Sequence, residues 1–339
     1  MNQTQYIESL FSGNPNFGKR CSIWICRNGA GIDQMILKIV LPELPNGVFY
    51  KKYIIYDLIK NITMWIGGTE FFNYTGEQLQ IIDKIERSYY DILEFTTIKN
   101  NIIYYPLDLK LFFKKAKFIE KSNNEILNIK FKGFRLCNSD HMDMRFNCTV
   151  GSIFDIIEGN IQEQVDYLQK LELKDFLCLC HYIIPDKKII RPNNSKVIQK
   201  FIYWKGESFK NGSLIVNHLK INIDNNIQDD SKILKMILFY NMDNNITHHL
   251  LQVNGSDKYD KTETKETNLL YQFNNKKKLD DKICAIDLKI KIKKEDKLNL
   301  HIWMEKELCE NDQINYLFKL EKKVLYDNDM FGFYNKKKI

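Results

Sequence analysis

The chain consists mainly of short apolar runs separated by polar clusters. The runs are rich in Ile, Phe, Tyr and Leu, and the clusters between them are rich in Asn, Asp, Gly and Lys. Many short strands with turn signals between them are typical of an all-β sandwich or barrel. The cleanest run, "AIDLKIKIKK" at 285–294, places Ile286, Leu288, Ile290 and Ile292 on one face. A helix would scatter these four residues around its surface, so the pattern predicts a strand.

Ten further segments share this strand-like character. The predicted strands cover residues 21–27, 35–41, 53–66, 104–113, 125–135, 171–184, 197–204, 213–223, 233–240, 283–292 and 297–304. In 125–135, "EILNIKFKGFR", the apolar side chains Leu127, Ile129 and Phe131 alternate with polar ones. That apolar face is expected to lie on the core side of its sheet.

Two segments have the spacing of helices. In 76–86 the residues Leu79, Ile82 and Ile85 recur every three positions, and Thr75 is placed to cap the helix N-terminus. A second helix is predicted at 160–171 from a similar apolar stripe. The polar stretch 253–268 is predicted to be a long loop.

The strongest break in the middle of the chain is "PDKKIIRPNNS" at 185–195, with two prolines and a pair of asparagines. It divides the chain into domains at 1–190 and 191–339, each with enough strands for one eight-stranded sandwich. The predicted fold class is therefore all-β, with two consecutive β-sandwiches and a few short helices.

Composition and charge narrow the classes of protein. The hydrophobic set makes up 44% and aromatic residues 13% of the 339 residues, which indicates a globular chain rather than a disordered one. The net charge of +7 comes from short Lys clusters such as "NNKKKLDDK" at 274–282. Such mixed runs usually solvate a surface, so no direct contact with nucleic acid is expected.

Compartment signals favour a protein made in the cytosol. The start "MNQTQYIESLF" lacks the basic and apolar regions of a signal peptide, and no apolar run approaches the roughly 18 residues of a membrane span. Eight irregularly placed cysteines fit reduced and mostly buried thiols better than a disulfide framework.

Metal-binding patterns are weak along this chain. None of the six histidines forms an H-x-x-x-H pair, and adjacent His248 and His249 would point to opposite faces of a strand. In "CLCH" at 178–181, Cys178 and Cys180 share a strand face while His181 points away. Buried structural cysteines explain this cluster better than a zinc site, so no metal and no cofactor are predicted.

A catalytic reading has one local candidate. "SDHMD" at 139–143 collects Ser139, Asp140, His141 and Asp143 in one loop, which leaves a β-sandwich hydrolase as a hypothesis. A triad is normally assembled from separated elements, so local crowding is weak evidence. The chain has no G-x-S-x-G elbow, P-loop or G-x-G-x-x-G fingerprint, and no catalytic residue is predicted.

The glycines near positions 29 and 67 are predicted to turn strands. "RNGAGID" at 27–33 lacks a third glycine and a following helix, and Gly67-Gly68 lies between two strand-like runs. A Gly-Gly pair suits a two-residue hairpin turn that needs positive φ. The helix at 76–86 begins too far along the chain for its N-terminus to share an anion with this turn.

Several of these pieces, taken in order, resemble one protein family. They are "LFSGNPNFGKRCSIWICRNGAGIDQMILKIVLPELP" at 10–45, "LIKNITMWIGGTEFFNYTGEQLQIIDKI" at 58–85 and "YYPLDLKLFF" at 104–113. Together they resemble the first jelly roll of the major capsid proteins of nucleocytoplasmic large DNA viruses. The closing "INYLFKLEKKVLYDNDMFGFYN" at 314–335 is similar to that family's last segment. The residues that carry the resemblance as structural motifs are Phe17, Gly18, Arg27, Asn28, Gly29, Gly67, Gly68, Gly76 and Pro106.

The resemblance implies a structural role without catalysis. It implies two eight-stranded jelly rolls in a virion capsid subunit that forms pseudo-hexagonal homotrimers. Neighbouring or minor capsid proteins and an internal viral membrane would be its contacts, and the host cytoplasm its place of assembly. A minor or divergent capsid protein and a transient scaffold of virion assembly stay open.

A glycan-binding β-sandwich is the alternative from another class, because jelly rolls also form lectin domains. It requires an aromatic platform or a metal-binding loop on an exposed face. Trp24, Trp65, Trp204 and Trp303 all lie in apolar strands, which predicts core packing for them.

Overall fold

The computed structural model describes most of the chain and divides it into two compact units. The described residues are 3–25, 31–107, 109–120, 126–128, 134–135, 144–184, 195–210, 217–223, 231–241, 245–259, 261–293, 295–308, 312–327 and 330–333. Unit 1 comprises Met1–Phe201 and Lys323–Tyr334, and unit 2 comprises Ile202–Lys322 and Asn335–Ile339. The predicted division at residue 190 falls in 185–194, outside the described residues.

Strands dominate unit 1. They are β1 (Gln3–Leu10), β2 (Ser12–Gly13), β3 (Arg20–Ile25), β4 (Gly31–Val40), β5 (Val48–Tyr50), β6 (Ile59–Ile66), β7 (Thr69–Thr75), β8 (Ile102–Leu107), β9 (Phe113–Glu120), β10 (Ile126–Asn128), β11 (Phe134–Arg135), β12 (Met144–Val150), β13 (Ile157–Gly159) and β14 (Asp175–Ile184). Its helices are α1 (Ile55–Leu58), α2 (Gly76–Glu86), α3 (Tyr89–Thr96), α4 (Leu109–Phe112), α5 (Ile153–Ile156) and α6 (Val165–Leu168), with a 3₁₀ turn at Gln162–Gln164.

Two antiparallel five-stranded sheets form the frame of unit 1. One has the order β2-β3-β12-β6-β7, and the other has the order β1-β14-β4-β11 with β8 also paired to β4. Alternate residues of each sheet are buried, as in β12, where Met144, Phe146 and Cys148 are buried and Arg145 and Asn147 are partly exposed. This period of two is the pattern of a sheet that packs one face against a core.

Unit 2 is built mainly from seven strands and one long helix. They are β16 (His218–Asn222), β17 (Ser231–Asn241), β18 (Ile246–Val253), β19 (Ser256–Asp257), β20 (Thr262–Glu263), β21 (Ile283–Ile292), β22 (Leu298–Met304) and α7 (Thr264–Asn275). β22 lies between β16 and β18, and the short strands β19 and β20 pair with β18. Buried Leu251, Leu298, Leu300 and Ile302 line the inner face of this sheet.

Two long strands supply residues to both units. They are β15 (Ser195–Lys210) and β23 (Gln313–Asp327), and β23 is followed by β24 (Met330–Phe333). Within unit 1, β15 pairs with β9 from Ser195 to Phe201. Within unit 2, β17 pairs with β21 on one side and with β23 on the other.

Several sequence predictions match the observed elements closely. The predicted strand 283–292 is β21, and the predicted helix 76–86 is α2. Thr75 caps α2 as expected: its Oγ1 accepts from Gln78 N at 3.2 Å, and Gln78 Oε1 accepts from Thr75 N at 3.0 Å. This reciprocal pair is a capping box.

Other predictions were wrong in part. Residues 53–66 do not form one strand, because α1 occupies Ile55–Leu58 before β6 begins. The helix expected at 160–171 is reduced to a 3₁₀ turn and the four residues of α6. The loop expected at 253–268 instead contains β19, β20 and the first turns of α7. Within 125–135, Ile126–Asn128 and Phe134–Arg135 belong to different sheets.

Candidate functional site

The glycine pair at the centre of the motif forms the predicted hairpin. Gly67 and Gly68 have φ values of 53° and 78°, and they connect β6 to β7 with Ile66 opposite Thr69. A two-residue turn with positive φ at both positions matches the right-handed twist of the flanking strands. These glycines therefore have an architectural role.

Gly76 has a different structural reason from the turn glycines. It is the first residue of α2, and a Cβ at this position would collide with the carbonyl oxygen of Tyr56 and come within 2.6 Å of the carbonyl oxygen of Ile59. A side chain there would push α2 away from α1 and from the start of β6. Gly76 therefore permits close packing of these elements.

The other motif residues that the structure describes lie at separate places in unit 1. Phe17 N donates to Asn16 Oδ1 at 2.8 Å, and Gly18 has a φ of 70° in the next turn. Pro106 lies on β8 opposite Ile36. Arg27, Asn28 and Gly29 lie outside the described residues.

A buried polar cluster connects α2 to β8, and sequence reasoning missed it. Asp83 lies between the apolar positions of the predicted helix 76–86, yet it is only 4% exposed. Its Oδ2 accepts from the hydroxyls of Tyr56 at 3.0 Å and Tyr105 at 2.8 Å, and its Oδ1 pairs with Arg87 Nε at 2.7 Å. Arg87 Nη2 also donates to the carbonyl oxygen of Pro106 at 2.8 Å.

The cluster is satisfied internally, as a buried charge requires. Burial raises the pKa of Asp83, while Arg87 and the two tyrosine hydroxyls act in the opposite direction. Burial also raises the pKa of the Tyr105 phenol well above its ordinary value, with the Asp83 charge as the next cause. The i,i+4 spacing of Asp83 and Arg87 was the signal in the sequence that could have indicated this pair.

The cysteine cluster has the predicted arrangement. Cys178 and Cys180 are buried on one face of β14 with their sulfur atoms 3.8 Å apart. His181 points to the other face, where its Nδ1 lies 2.6 Å from Asp33 Oδ1. In the part of the chain that the structure describes, no group of three or more His, Cys, Asp or Glu side chains is placed to hold a metal.

The adjacent histidines of β18 also separate as predicted. His248 Nε2 lies 3.9 Å from Glu263 Oε1, whereas His249 is buried and contacts Tyr259 Oη at 3.2 Å and Thr267 Oγ1 at 3.1 Å. Burial, with a smaller contribution from the charge of His248, lowers the pKa of His249 to about 4. His249 is therefore a neutral core residue at physiological pH.

The catalytic candidates cannot be placed. Ser139, Asp140, His141 and Asp143 all lie outside the described residues.

The core packing predicted for the four tryptophans holds only for Trp204, since Trp65 and Trp303 are partly exposed. Trp204 is buried, but Trp24 is 52% exposed, because it occupies the outward face of β3. Arg145 lies opposite Trp24 and Trp65 on the two neighbouring strands, with its Cζ 5.2 Å and 5.9 Å from their ring centroids. We call Trp24, Arg145 and Trp65 the Trp-Arg-Trp surface.

A shallow depression adjoins this surface on the same sheet. Its volume is about 760 Å³. Most of its lining is uncharged and capable of hydrogen bonding, including Ser22, Asn61, Thr63, Asn73 and Asn147. The sheet thus presents aromatic rings and small polar groups side by side.

Two helices expose apolar side chains to solvent. On α3 these are Tyr89, Tyr90 and Leu93, and on α7 they are Leu269, Leu270 and Phe273. The ring of Phe273 is 83% exposed. Clustered apolar exposure of this kind often marks an interaction surface. Among the described residues, no helix has the length and apolar character needed to cross a membrane.

Comparison with known proteins assigns the first part of the chain to a family. The model for the N-terminus of the major capsid protein matches residues 3–131. This range contains the hairpin, α2 and Pro106. Among curated proteins, none matches the sequence.

Solved structures share the fold across almost the whole chain. The PBCV-1 virus capsid matches with a TM-score of 0.72 at 12% identity, covering 99% of this chain and 97% of that one. The Faustovirus major capsid protein matches with a TM-score of 0.66 at 7% identity, covering 95% and 90%. The major capsid protein P2 of bacteriophage PM2 matches with a TM-score of 0.52 at 11% identity, covering 98% and 99%. At these identities the structures establish the fold, which is the double jelly roll.

Both comparisons lead to capsid proteins. The family whose model matches residues 3–131 is non-catalytic. Residues 3–131 match the model for the N-terminus of the major capsid protein, and almost the whole chain has the double jelly-roll fold of solved capsid proteins.

Proposed function

We propose that three copies of this chain form one block of the virion shell. Residues 1–190 and 191–339 would each supply one eight-stranded jelly roll, so that a homotrimer presents six similar sandwiches around its axis. The observation that carries the proposal is the double jelly-roll fold, which the chain shares over 99% of its length with the PBCV-1 capsid. A closed ring of identical subunits is also the common symmetry of homo-oligomers with head-to-tail contacts.

The Trp-Arg-Trp surface is the proposed contact between subunits. Trp and Arg are the residue types most enriched among the energetic centres of protein interfaces. Trp24 is half exposed in the single chain, and Arg145 lies between two indole rings that already order it. A neighbouring subunit could bury this surface with little loss of side-chain entropy.

Size-exclusion chromatography with light scattering tests the trimer. We expect a mass three times that of one chain at micromolar concentration, and a stable monomer would contradict the proposal. The variant Trp24→Ala tests the contact, since it should shift the distribution toward monomer. The matched variant Tyr167→Ala, at an exposed position of α6, should leave the trimer unchanged.

Further contacts of the trimer follow from the same proposal. Neighbouring capsid or minor capsid proteins and an internal viral membrane would meet its edges and base, and assembly would take place in the host cytoplasm. Co-flotation of the purified trimer with vesicles of anionic and neutral lipid tests the membrane contact. Recovery of the protein only in the pellet or lipid-free fractions would count against it.

Glycan binding is a second candidate because of one observation. Trp24 supplies the exposed aromatic ring that a glycan site requires, and the adjoining depression is lined mostly by uncharged polar groups. Screening of the chain on a glycan array tests this candidate. Binding that is lost in Trp24→Ala, with the trimer mass retained, would favour a glycan site over a subunit contact.

A further inference from the structure

A row of four polar side chains crosses the sheet of unit 2 that has the strand order β16-β22-β18-β19. His218 lies on β16, His301 on β22, Gln252 on β18 and Asp257 on β19. His218 Nε2 lies 3.1 Å from His301 Nδ1, His301 Nε2 lies 3.1 Å from Gln252 Oε1, and Gln252 Nε2 donates to Asp257 Oδ1 at 2.8 Å. The four strands are therefore joined by an unbroken series of side-chain contacts.

The Asp257 end of this row fixes the tautomer of His301. A carboxylate only accepts hydrogen bonds, so Gln252 must turn its amide nitrogen toward Asp257 and its carbonyl oxygen toward His301. That oxygen requires a proton on His301 Nε2. In the neutral ring, the lone pair of Nδ1 then faces His218.

Histidines that bind metals have this same arrangement. The ring nitrogen that does not bind the metal usually donates to a carbonyl or carboxylate oxygen, which orients the ring and raises its basicity. Gln252 and Asp257 supply that support to His301. For His218 the support is stacking, because its ring lies parallel to the indole of Trp303 with centroids 4.5 Å apart and 9° between the planes.

The separation of the two facing nitrogens also fits one shared ion. With metal–nitrogen distances of about 2.05 Å, two nitrogens 3.1 Å apart subtend an angle of about 98° at the metal. This value lies between the right angle of square-planar or octahedral sites and the tetrahedral angle. Imidazole is a preferred ligand of zinc, nickel and copper.

We propose that His218 Nε2 and His301 Nδ1 form a two-histidine site for a divalent transition-metal ion such as Zn²⁺, joining β16 to β22. Water fills the remaining coordination positions, because two protein ligands face the ion. Lys261 lies over the Trp303 ring at 4.3 Å and Lys220 lies on β16, and these positive charges weaken the site. Asp257, at the other end of the row, supplies an opposing negative charge.

Calorimetric titration of Zn²⁺ into the chelator-treated full chain tests the site. The readout is the difference in zinc binding, in stoichiometry and affinity, between each variant and the unmodified chain. Zinc bound at other positions is the same in both chains and therefore cancels in this difference. We expect His218→Ala and His301→Ala each to weaken one equivalent by at least about tenfold, and Gln252→Ala to weaken it by about tenfold. Mg²⁺, which prefers oxygen ligands, should not bind there.

The control is His248→Ala, at a histidine of the same sheet that lies beside Glu263. It should keep the full zinc stoichiometry. A second readout is the midpoint of thermal unfolding, which zinc should raise in the unmodified chain and in His248→Ala but not in the His218→Ala, His301→Ala double variant. Absence of zinc binding in the unmodified chain, or equal loss in His248→Ala, would overturn the proposal.

Discussion

The first residue of α2, Gly76, lies directly against the carbonyl oxygen of Tyr56 in α1. The space between them is too small for a Cβ, and the carbonyl oxygen of Ile59 closes the other side. The motif glycine at position 76 is therefore required by packing between two helices, whereas Gly67 and Gly68 are required by the backbone conformation of a turn.

Replacing Gly76 with alanine should destabilise the chain. The methyl group would displace α2 from α1, and overpacking of this kind costs about 1–3 kcal/mol. Urea unfolding measures the change, with Gln80→Ala in the same helix as the control, expected within about 0.5 kcal/mol of the unmodified chain. If Gly76→Ala and Gln80→Ala were equally stable, the prediction would be wrong, because α2 could then move away from α1 with no loss in the free energy of unfolding.

The hairpin turn should discriminate between two replacements of Gly67. Asparagine tolerates positive φ and is favoured in two-residue hairpin turns, so Gly67→Asn should change the free energy of unfolding by less than about 0.5 kcal/mol. A β-branched side chain is strained in this region, so Gly67→Val should cost about 1–2 kcal/mol. Urea unfolding of the two variants side by side tests the difference, and a Gly67→Val chain as stable as Gly67→Asn would contradict it.

Removal of the Asp83 carboxylate should be costly. In Asp83→Ala the guanidinium of Arg87 and the hydroxyls of Tyr56 and Tyr105 lose a shared buried partner, and breaking a buried ion pair from one side costs about 3–5 kcal/mol. Chemical unfolding measures the loss. Glu94→Ala, at an exposed position of α3, serves as the control and should be near neutral. A loss below about 1 kcal/mol for Asp83→Ala would mean that water replaces the carboxylate.

Acid should lower the free energy of unfolding because His249 is protonated more readily in the unfolded chain. The pKa of this side chain falls to about 4 in the folded chain, against about 6.5 when unfolded, so the unfolded chain binds the proton more readily. The stability that a neutral His249 contributes is complete above about pH 6.5 and is lost as the pH falls toward 4. At pH 4.5 the loss amounts to about 2–3 kcal/mol.

The comparison of His249→Gln with the unmodified chain isolates this effect from other groups that titrate in acid. Urea unfolding at pH 7.5 and pH 4.5 should show a smaller drop in stability for the variant. An identical drop in both chains would place the acid sensitivity elsewhere.

The local sequence pattern was enough to predict elements in which apolar and polar residues recur with a regular period. Ile286, Leu288 and Ile292 alternate with polar residues in the later part of β21, so the period predicts that this segment is a strand. The helix α2 was equally clear, because Thr75 and Gln78 mark its start and Leu79, Ile82 and Ile85 mark its buried face.

The remaining features depend on segments that are distant in the sequence. Asp83 is buried because Tyr56 and Tyr105 approach it from α1 and β8, which no local pattern reveals. Trp24 is exposed because no part of the chain that the structure describes covers the outer face of β3, although its neighbours in the strand are apolar. The helix α1 was missed because a short apolar run has no period that separates a helix from a strand.

The contribution of β23 to both units has a consequence for how the chain is made on the ribosome. Unit 1 includes Lys323–Tyr334, so the residues that pair as the end of β23 and β24 are synthesised after all of 202–322. The first unit therefore stays incomplete until residues 202–322 have been synthesised.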